Sequence, residues 1–385
     1  MPTHISEPTD KDSMLESFEI KNFKSLMDFK LDEIQKFNCL IGLNGSGKTT
    51  LLQAFDFLSQ LMLGNMKNWL GSRGWKPTEL CNISSQKSQK RLIEFKVKMK
   101  NNTEWKGKYN VSKNLCSSET VTKDGNTLLE VSDGLYKLEE NVKYEIMFEY
   151  QGSIMSQLKM TGSLLDLKNK IIDLKSMELL SPHIMRTHSR DNTGDIGIYG
   201  EQIHKFLHSL SEGQKKMLTE EVQQFYPNLS KWDVATKRFG WKKLFIEEKY
   251  KENEFKTNAT HINDGFLRII AFLAQSLGKH NILLYDEIEN GINPELIEKL
   301  VDYLVKSPKQ IFVTTHSPLV LNYLEDEVAK KSVRLLYKTE NGDTKSALYF
   351  YYPEAAKKLE FFGPGEVYID TSISDAVAYF KDTNK

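Results

Sequence analysis

Cysteine is scarce: Cys39, Cys81 and Cys116 are the only three among 385 residues, and none shares a CxxC spacing. That argues against a disulfide framework or a cysteine zinc site and fits a reducing cytosol. Long apolar runs are missing as well. No stretch approaches the length needed to span a bilayer, so no integral membrane segment is expected and a cytoplasmic location is. The opening residues, MPTHISEPTDKDSML, lack the apolar centre of a secretory signal and read as a flexible arm over 1–16. Neither sign of charge is in excess. Lys plus Arg number 52 and Asp plus Glu number 52, so no global field draws the chain to nucleic acid or an anionic membrane. Internal repeats, low-complexity tracts and sustained heptads are also absent. The last of these argues against a long coiled-coil arm.

What is present is the composition of a folded globular protein, 39% hydrophobic and 27% charged. Residues 18–23 and Phe37-Asn-Cys-Leu-Ile41 read as strands, and Thr49 to about Leu63 as a helix. Trp75 to Gln89 reads as a loop. From Arg91 to Lys100 the period becomes two, with Phe95, Val97 and Met99 on one face and Lys96, Lys98 and Lys100 on the other. Trp105, Tyr109 and Val111 continue in that style, Asp124-Gly125 marks a hairpin turn, and Tyr144–Tyr150 (YEIMFEY) is a further strand candidate. Together these predict an antiparallel sheet lobe. Residues 163–180 and 200–226 have helical, amphipathic spacing and predict an inserted helical lobe, with a loop over 191–200. From Ile282 the chain reads strand, helix, strand (ILLYDE, PELIEKLVDYLV, QIFVTTH), which is the grammar of a parallel sheet covered by helices.

Three motifs carry chemistry. Gly42-Leu-Asn44-Gly45-Ser46-Gly47-Lys48-Thr49 matches G-x-x-x-x-G-K-[ST] between an apolar strand and a helix. Its glycines let backbone N–H groups curl around phosphate oxygens, at a helix N-terminus that favours anions. Lys48 would reach the terminal phosphates, and the Thr49 hydroxyl would ligate Mg²⁺, with Thr50 beside it. Asp286 and Glu287 end an apolar strand. Asp286 would hold Mg²⁺ through its water shell, and Glu287 could take a proton from an attacking water. His316, in TTHSP after the next strand, stands where a parallel sheet binds ligands and could polarise that water or sense the last phosphate.

In this order the motifs resemble the ATPase heads of the SMC, RecF and OLD group, which belongs to the ABC ATPases and is often grouped loosely as "AAA family". The resemblance is good over 17–64 and 258–325 and an outline between them. It implies an α/β P-loop NTPase of ABC-ATPase type, with a parallel core sheet, an antiparallel β lobe and an inserted helical lobe. The expected divisions are 17–90 (N-terminal core with the phosphate loop), 91–155 (β lobe), 156–257 (helical and mixed insertion) and 258–385 (C-terminal core). It implies ATP and Mg²⁺ as ligands, with Lys24 and Ser25 near the nucleotide. It also implies a head-to-head dimer, in which a signature loop of one subunit completes the phosphate site of the other. Two segments compete for that loop. Leu210-Ser-Glu-Gly-Gln214 has the letters of the ABC-transporter signature but lies far ahead of Asp286, inside an amphipathic stretch. His261-Ile-Asn263-Asp264-Gly265-Phe-Leu-Arg268 has the right position, opening the helix that leads to the carboxylate strand, with Asn263 where serine is usual. We take Asn263, Asp264 and Gly265. Glu289–Pro294 corresponds to the segment that crosses the dimer interface in such heads, with Asn293 where many relatives carry His. Gln151, by position alone, falls where a metal-site glutamine joining two lobes is expected.

Weaker signals remain. The stretch from Lys87 to Lys113 holds nine basic and two acidic residues, which suits either a phosphate backbone or a solvated strand face. His204 and His208 have half-metal-site spacing, with no acidic helix motif near them. Phe361–Asp370 resembles the closing tail of many ATPases in the group, without a chemistry of its own. No nuclease motif (a glutamate followed by a DxD pair) follows His316. The resemblance therefore points to stand-alone ATPases of anti-phage systems, Septu-like or retron-associated, which regulate a separately encoded effector. A DNA-repair ATPase acting on nucleic acid, a transporter motor and a non-catalytic scaffold remain open alternatives.

Overall fold

The computed structural model describes residues 14–82, 91–138, 142–177, 180–187, 189, 196–236, 238–278 and 280–383. Most of the expected N-terminal arm, half of the 191–200 loop (191–195) and Lys87 lie outside them.

The chain opens with β1 (Leu15–Phe23), β2 (Leu26–Leu31) and β3 (Phe37–Ile41), then α1 (Lys48–Leu63) and α2 (Met66–Ser72). A run of strands follows: β4 (Leu92–Met99), β5 (Thr103–Asn110), β6 (Leu115–Lys123), β7 (Asn126–Ser132), β8 (Leu135–Leu138) and β9 (Lys143–Glu145). Next come α3 (Gly162–Ile172), β10 (Lys175–Met177), α4 (Pro182–Met185), α5 (Ile203–Ser209) and α6 (Glu212–Phe225). A meander of β11 (Leu229–Thr236), β12 (Lys242–Tyr250) and β13 (Asn253–Asn258) precedes α7 (Asp264–Leu277), β14 (Ile282–Tyr285), α8 (Pro294–Lys306) and β15 (Gln310–Thr314). The remainder is α9 (Pro318–Asn322), α10 (Asp326–Ser332), β16 (Val333–Lys338), β17 (Thr344–Leu348), α11 (Pro353–Lys358), α12 (Pro364–Asp370) and α13 (Ile373–Thr383).

The core sheet has the order β10-β14-β15-β3-β16-β17, parallel except for β17 at one edge. Every residue of β3, β14 and β15 is buried, as expected for parallel strands covered on both faces. Their side chains divide between two cores. Leu283, Tyr285, Ile311 and Val313 face the α7 side, while Ile282, Leu284 and Phe312 face α1 and the β lobe. Phe55 of α1 bridges the layers, with its ring 4.8 Å from Phe18 and 5.0 Å from Phe312. Burying one such ring contributes roughly 1.5–3 kcal/mol.

The antiparallel sheet runs β2-β1-β4-β5-β6-β7-β8-β9, so the N-terminal hairpin extends the expected lobe. β4 alternates as read, with Phe95, Val97 and Met99 buried. The Asp124-Gly125 hairpin forms with both residues at positive φ, 50° and 83°. Three lysines of the outer face are matched by carboxylates: Lys96 with Glu104 (3.0 Å), Lys98 with Glu16 (2.9 Å) and Lys108 with Glu94 (3.2 Å). Glu119 of β6 is sealed inside. Its carboxyl accepts from Ser153 Oγ (2.6 Å), Ile154 N (2.8 Å) and Trp105 Nε1 (3.1 Å). Burial pushes it up to about 7 despite those three donors. Ser153 N in turn donates to Leu61 O (2.8 Å), which ties the lobe to the end of α1.

Three expected elements change. Of YEIMFEY only Tyr144 and Glu145 pair, in β9. Among the described residues only β8 flanks that edge strand, and Met147 is 85% exposed, so its side chain gains nothing from further pairing. The expected helix over 163–180 ends at Ile172, and 175–177 becomes β10, whose backbone pairs with β14. Helix 200–226 is split at Leu210-Ser211 into α5 and α6. The longest helix among the described residues is α1, with 16 residues, and none is long and apolar enough to cross a membrane.

Candidate functional site

β14, β15 and β3 are neighbours in that order, so their C-terminal ends deliver Asp286, His316 and the phosphate loop to one edge of the sheet. In an open parallel sheet this is where ligands sit. Leu43, Asn44 and Gly45 form the exposed crest of the loop, and Ser46, Gly47 and Lys48 are buried. A Cβ on Gly42 (φ 143°) would lie 2.3 Å from Leu336 O, and one on Gly47 (φ 108°) would lie 2.5 Å from Thr344 Oγ1, so neither position admits a side chain. Lys48 Nζ donates to the carbonyls of Gly42 (2.9 Å) and Leu43 (3.3 Å). Burial lowers its pKa, opposed by the nearby charges of Asp286, Glu287 and Glu289. Ser46 Oγ is buried without a partner among the described residues. A cation folded onto its own loop, an orphaned hydroxyl and a glycine cradle at a helix N-terminus fit a polyphosphate.

The carboxylates are held by hydroxyls. Thr49 Oγ1 donates to Asp286 Oδ2 (2.9 Å) and Thr314 Oγ1 to Asp286 Oδ1 (2.5 Å). Glu287 N donates to Thr314 Oγ1 (2.8 Å), so one threonine fixes both acids. Glu287 itself has φ 48°, a left-handed conformation that turns it out of the line of the strand. Asn290 Nδ2 lies 3.4 Å from its Oε2. The pair Thr49 and Asp286 is a hard-oxygen set of the kind Mg²⁺ takes while keeping most of its waters. His316 is placed through its backbone: its N–H donates to Glu289 Oε1 (2.8 Å). Behind it, Asn322 Oδ1 accepts from Gly365 N (2.8 Å) and Glu366 N (3.1 Å), so the glycine-proline tail docks on the helix after the histidine.

The other predicted residues divide. Ser25 Oγ lies 2.9 Å from Thr344 Oγ1, which donates to Ser46 O at 2.9 Å, and this brings Ser25 to the phosphate loop. Lys24 Nζ donates to Gln53 Oε1 (2.8 Å) on α1 and lies 3.2 Å from the centre of the Trp75 ring. Thr50 follows Thr49 in the first turn of α1. Asn263 caps α7, its Oδ1 accepting from Phe266 N (2.7 Å), while Asp264 and Asn263 are exposed. Gly265 passes close to Gly291 O and Tyr226 Oη. Asn293 is exposed at the start of α8. Gln151 does not belong to this group. Its Oε1 accepts from Asn114 Nδ2 (3.1 Å), and its backbone borders Gly64, beyond the far end of α1. The helix rise puts Gly64 about 22 Å from Thr49, so Gln151 cannot serve a metal there.

LSEGQ proves to be a helix start. Ser211 and Gln214 form a capping box: Gln214 N donates to Ser211 Oγ (3.3 Å) and Ser211 N to Gln214 Oε1 (3.0 Å). Gln214 Nε2 reaches Leu277 O (3.4 Å), at the opposite end of α7 from Asn263. His204 Nδ1 accepts from Leu244 N (3.1 Å), and His208 Nε2 lies 3.0 Å from Lys242 Nζ. No cluster of three or more metal-ligating side chains occurs among the described residues. Thr344 and Arg186 help hold the site together without standing out in the sequence, and Glu289, read there only as part of an interface segment, fixes the His316 backbone. Thr344 and Arg186 belong to no motif, and only the fold brings them near.

Fold and site together define a P-loop nucleotide-binding head of ABC type. The chain belongs to the family described as "AAA domain, putative AbiEii toxin, Type IV TA system", whose model matches residues 37–235 and 245–322. No curated protein matches it. Among solved structures it is similar to an Smc head bound to the C-terminal winged-helix domain of ScpA (13% identity, 86% of this chain and 96% of that one, TM-score 0.50). It is also similar to the Smc head with a coiled coil and joint from Pyrococcus yayanosii (10% identity, 96% of this chain and 99% of that one, TM-score 0.50). At such identities the likeness is one of fold.

Proposed function

We propose that the chain hydrolyses Mg²⁺-ATP as a head-to-head dimer and passes the resulting change of shape to a separately encoded effector. The observation that supports this most is the hydrogen-bonded series Thr49–Asp286–Thr314–Glu287, which brings a hydroxyl and two carboxylates together beside the phosphate loop. Thr49 and Asp286 would hold Mg²⁺, which when bound neutralises phosphate charge. Lys48 exchanges its loop carbonyls for phosphate oxygens. Glu287 accepts the proton of the attacking water, and His316 lies at the same edge to orient that water. Asn263 and Asp264 stand exposed at the N-terminus of α7, with Gly265 half-buried beside them, suited to complete the site of a second subunit. The role in anti-phage defence, with a nuclease as effector, rests on the resemblance of the motifs to such stand-alone ATPases.

Glu287→Gln should keep ATP binding, lose turnover by about 100-fold or more, and accumulate as an ATP-dependent dimer. Phosphate release and light scattering with and without ATP read both effects. Turnover of the variant at the wild-type rate removes Glu287 as the base, and an unchanged mass with ATP removes the dimer.

A further inference from the structure

We propose that Arg186 belongs to the half of the site that one subunit lends to the other, as the residue that positions the Asn263–Gly265 turn. This rests on the composite-site reading above and adds a residue to it.

β10 runs parallel to β14 with Met177 opposite Tyr285, so its chain leaves the core sheet at the edge that carries Asp286. It continues into α4, where Pro182 and Met185 are buried and the helix packs against α7. Arg186 N donates to Pro182 O (3.0 Å), which fixes the arginine at the end of that platform. From there its Nη2 donates to Ile262 O (2.7 Å) and to Asp264 Oδ1. One guanidinium therefore spans the turn, gripping the residue on either side of Asn263.

The charge at this place needs it. Asp264 opens α7 on the face offered to a partner's phosphates, where a bare carboxylate would repel a polyphosphate anion. Paired with Arg186, it presents a neutral group instead. Asn263 Oδ1 is occupied by Phe266 N, so the amide side of Asn263 and the first N–H groups of α7 are left to face outward. Both members of the ion pair stay reachable, with Arg186 at 26% exposure and Asp264 at 57%. Arg186 thus acts through the turn: it shapes it and removes its negative charge.

The test is complementation between two crippled subunits. Arg186→Ala should bind ATP as the wild-type head does and lose turnover about tenfold or more, the scale of one charge-assisted hydrogen bond. Lys48→Ala lacks its own phosphate loop but keeps an intact turn. In a mixed dimer, the phosphate loop of the Arg186→Ala subunit meets the complete turn of the Lys48→Ala subunit. ATPase activity of the mixture should therefore exceed the sum of the two variants alone. A parallel mixture of Lys48→Ala with Asp264→Ala tests the composite site itself. Recovery there, with none in the Arg186 mixture, means Arg186 works inside its own subunit and overturns the inference. Recovery in neither mixture removes the composite site along with it. Arg186→Gln, which keeps a donor for Ile262 O without the charge, replaces Arg186→Ala should the alanine variant not fold.

Discussion

A carboxyl group closed off from water needs donors or a proton, and Glu119 has three donors and still keeps the proton to about pH 7. Burial is the largest cause, and it outweighs the hydrogen bonds that favour the ion. The sign follows. The folded state binds the proton more tightly than the unfolded one, so this stabilisation is complete below the ordinary value of 4.5 and is lost as pH rises towards 7. Over that window the loss is on the order of 3 kcal/mol, at 1.36 kcal/mol for each pH unit. Glu119→Gln cannot ionise, so urea unfolding at about pH 5 and about pH 8 should show the variant gaining on the wild type at the higher pH. Equal differences at both values would mean that Glu119 titrates normally. Nothing in the sequence marks this residue, since Glu119 sits in SSETVTK like any strand glutamate. Thr314 is a milder case: in the sequence it is only a neighbour of His316, and the structure makes its hydroxyl the joint between Asp286 and Glu287.

Elements were legible where their periodicity met a local stop signal. α1 begins one residue from its expected start because Gly47 precedes it, and β3 and β14 stand out as apolar runs ahead of a glycine loop and an acidic pair. Where the deciding partner was remote, the reading failed. β10 is three residues long and exists because β14 pairs with it, which no local pattern reveals. LSEGQ shows the reverse hazard, letters that match a phosphate-contacting signature while the geometry is that of a helix cap. Ser211→Ala separates the two meanings. As a cap, the serine is worth about 1 kcal/mol of stability, and its loss should lower the denaturation midpoint while leaving ATP turnover per folded molecule intact. As a signature serine, its loss would abolish turnover with little effect on stability. Unfolding curves and steady-state ATPase on the same preparation decide between them.

For the whole molecule the question is which surface meets a partner. Balanced charge leaves no long-range pull towards nucleic acid, and part of the one basic stretch is neutralised in place. Lys96 and Lys98 each hold a carboxylate, Glu104 and Glu16, at salt-bridge distance. A lysine that binds a phosphate backbone releases counterions, and each such contact contributes roughly 0.9 to the slope of log affinity against log salt. If this face of the β lobe bound duplex DNA, Lys96→Gln with Lys98→Gln would reduce the slope by about 2. Two lysines already neutralised by glutamates should instead leave both slope and affinity unchanged, in fluorescence anisotropy of a labelled duplex between about 50 and 200 mM salt. A slope that falls by that amount would make the lobe a nucleic-acid surface and favour a head that acts on DNA directly. An unchanged slope leaves the edge of the core sheet, with its phosphate loop and the exposed Asn263 and Asp264, as the surface where the proposed partner would read nucleotide state.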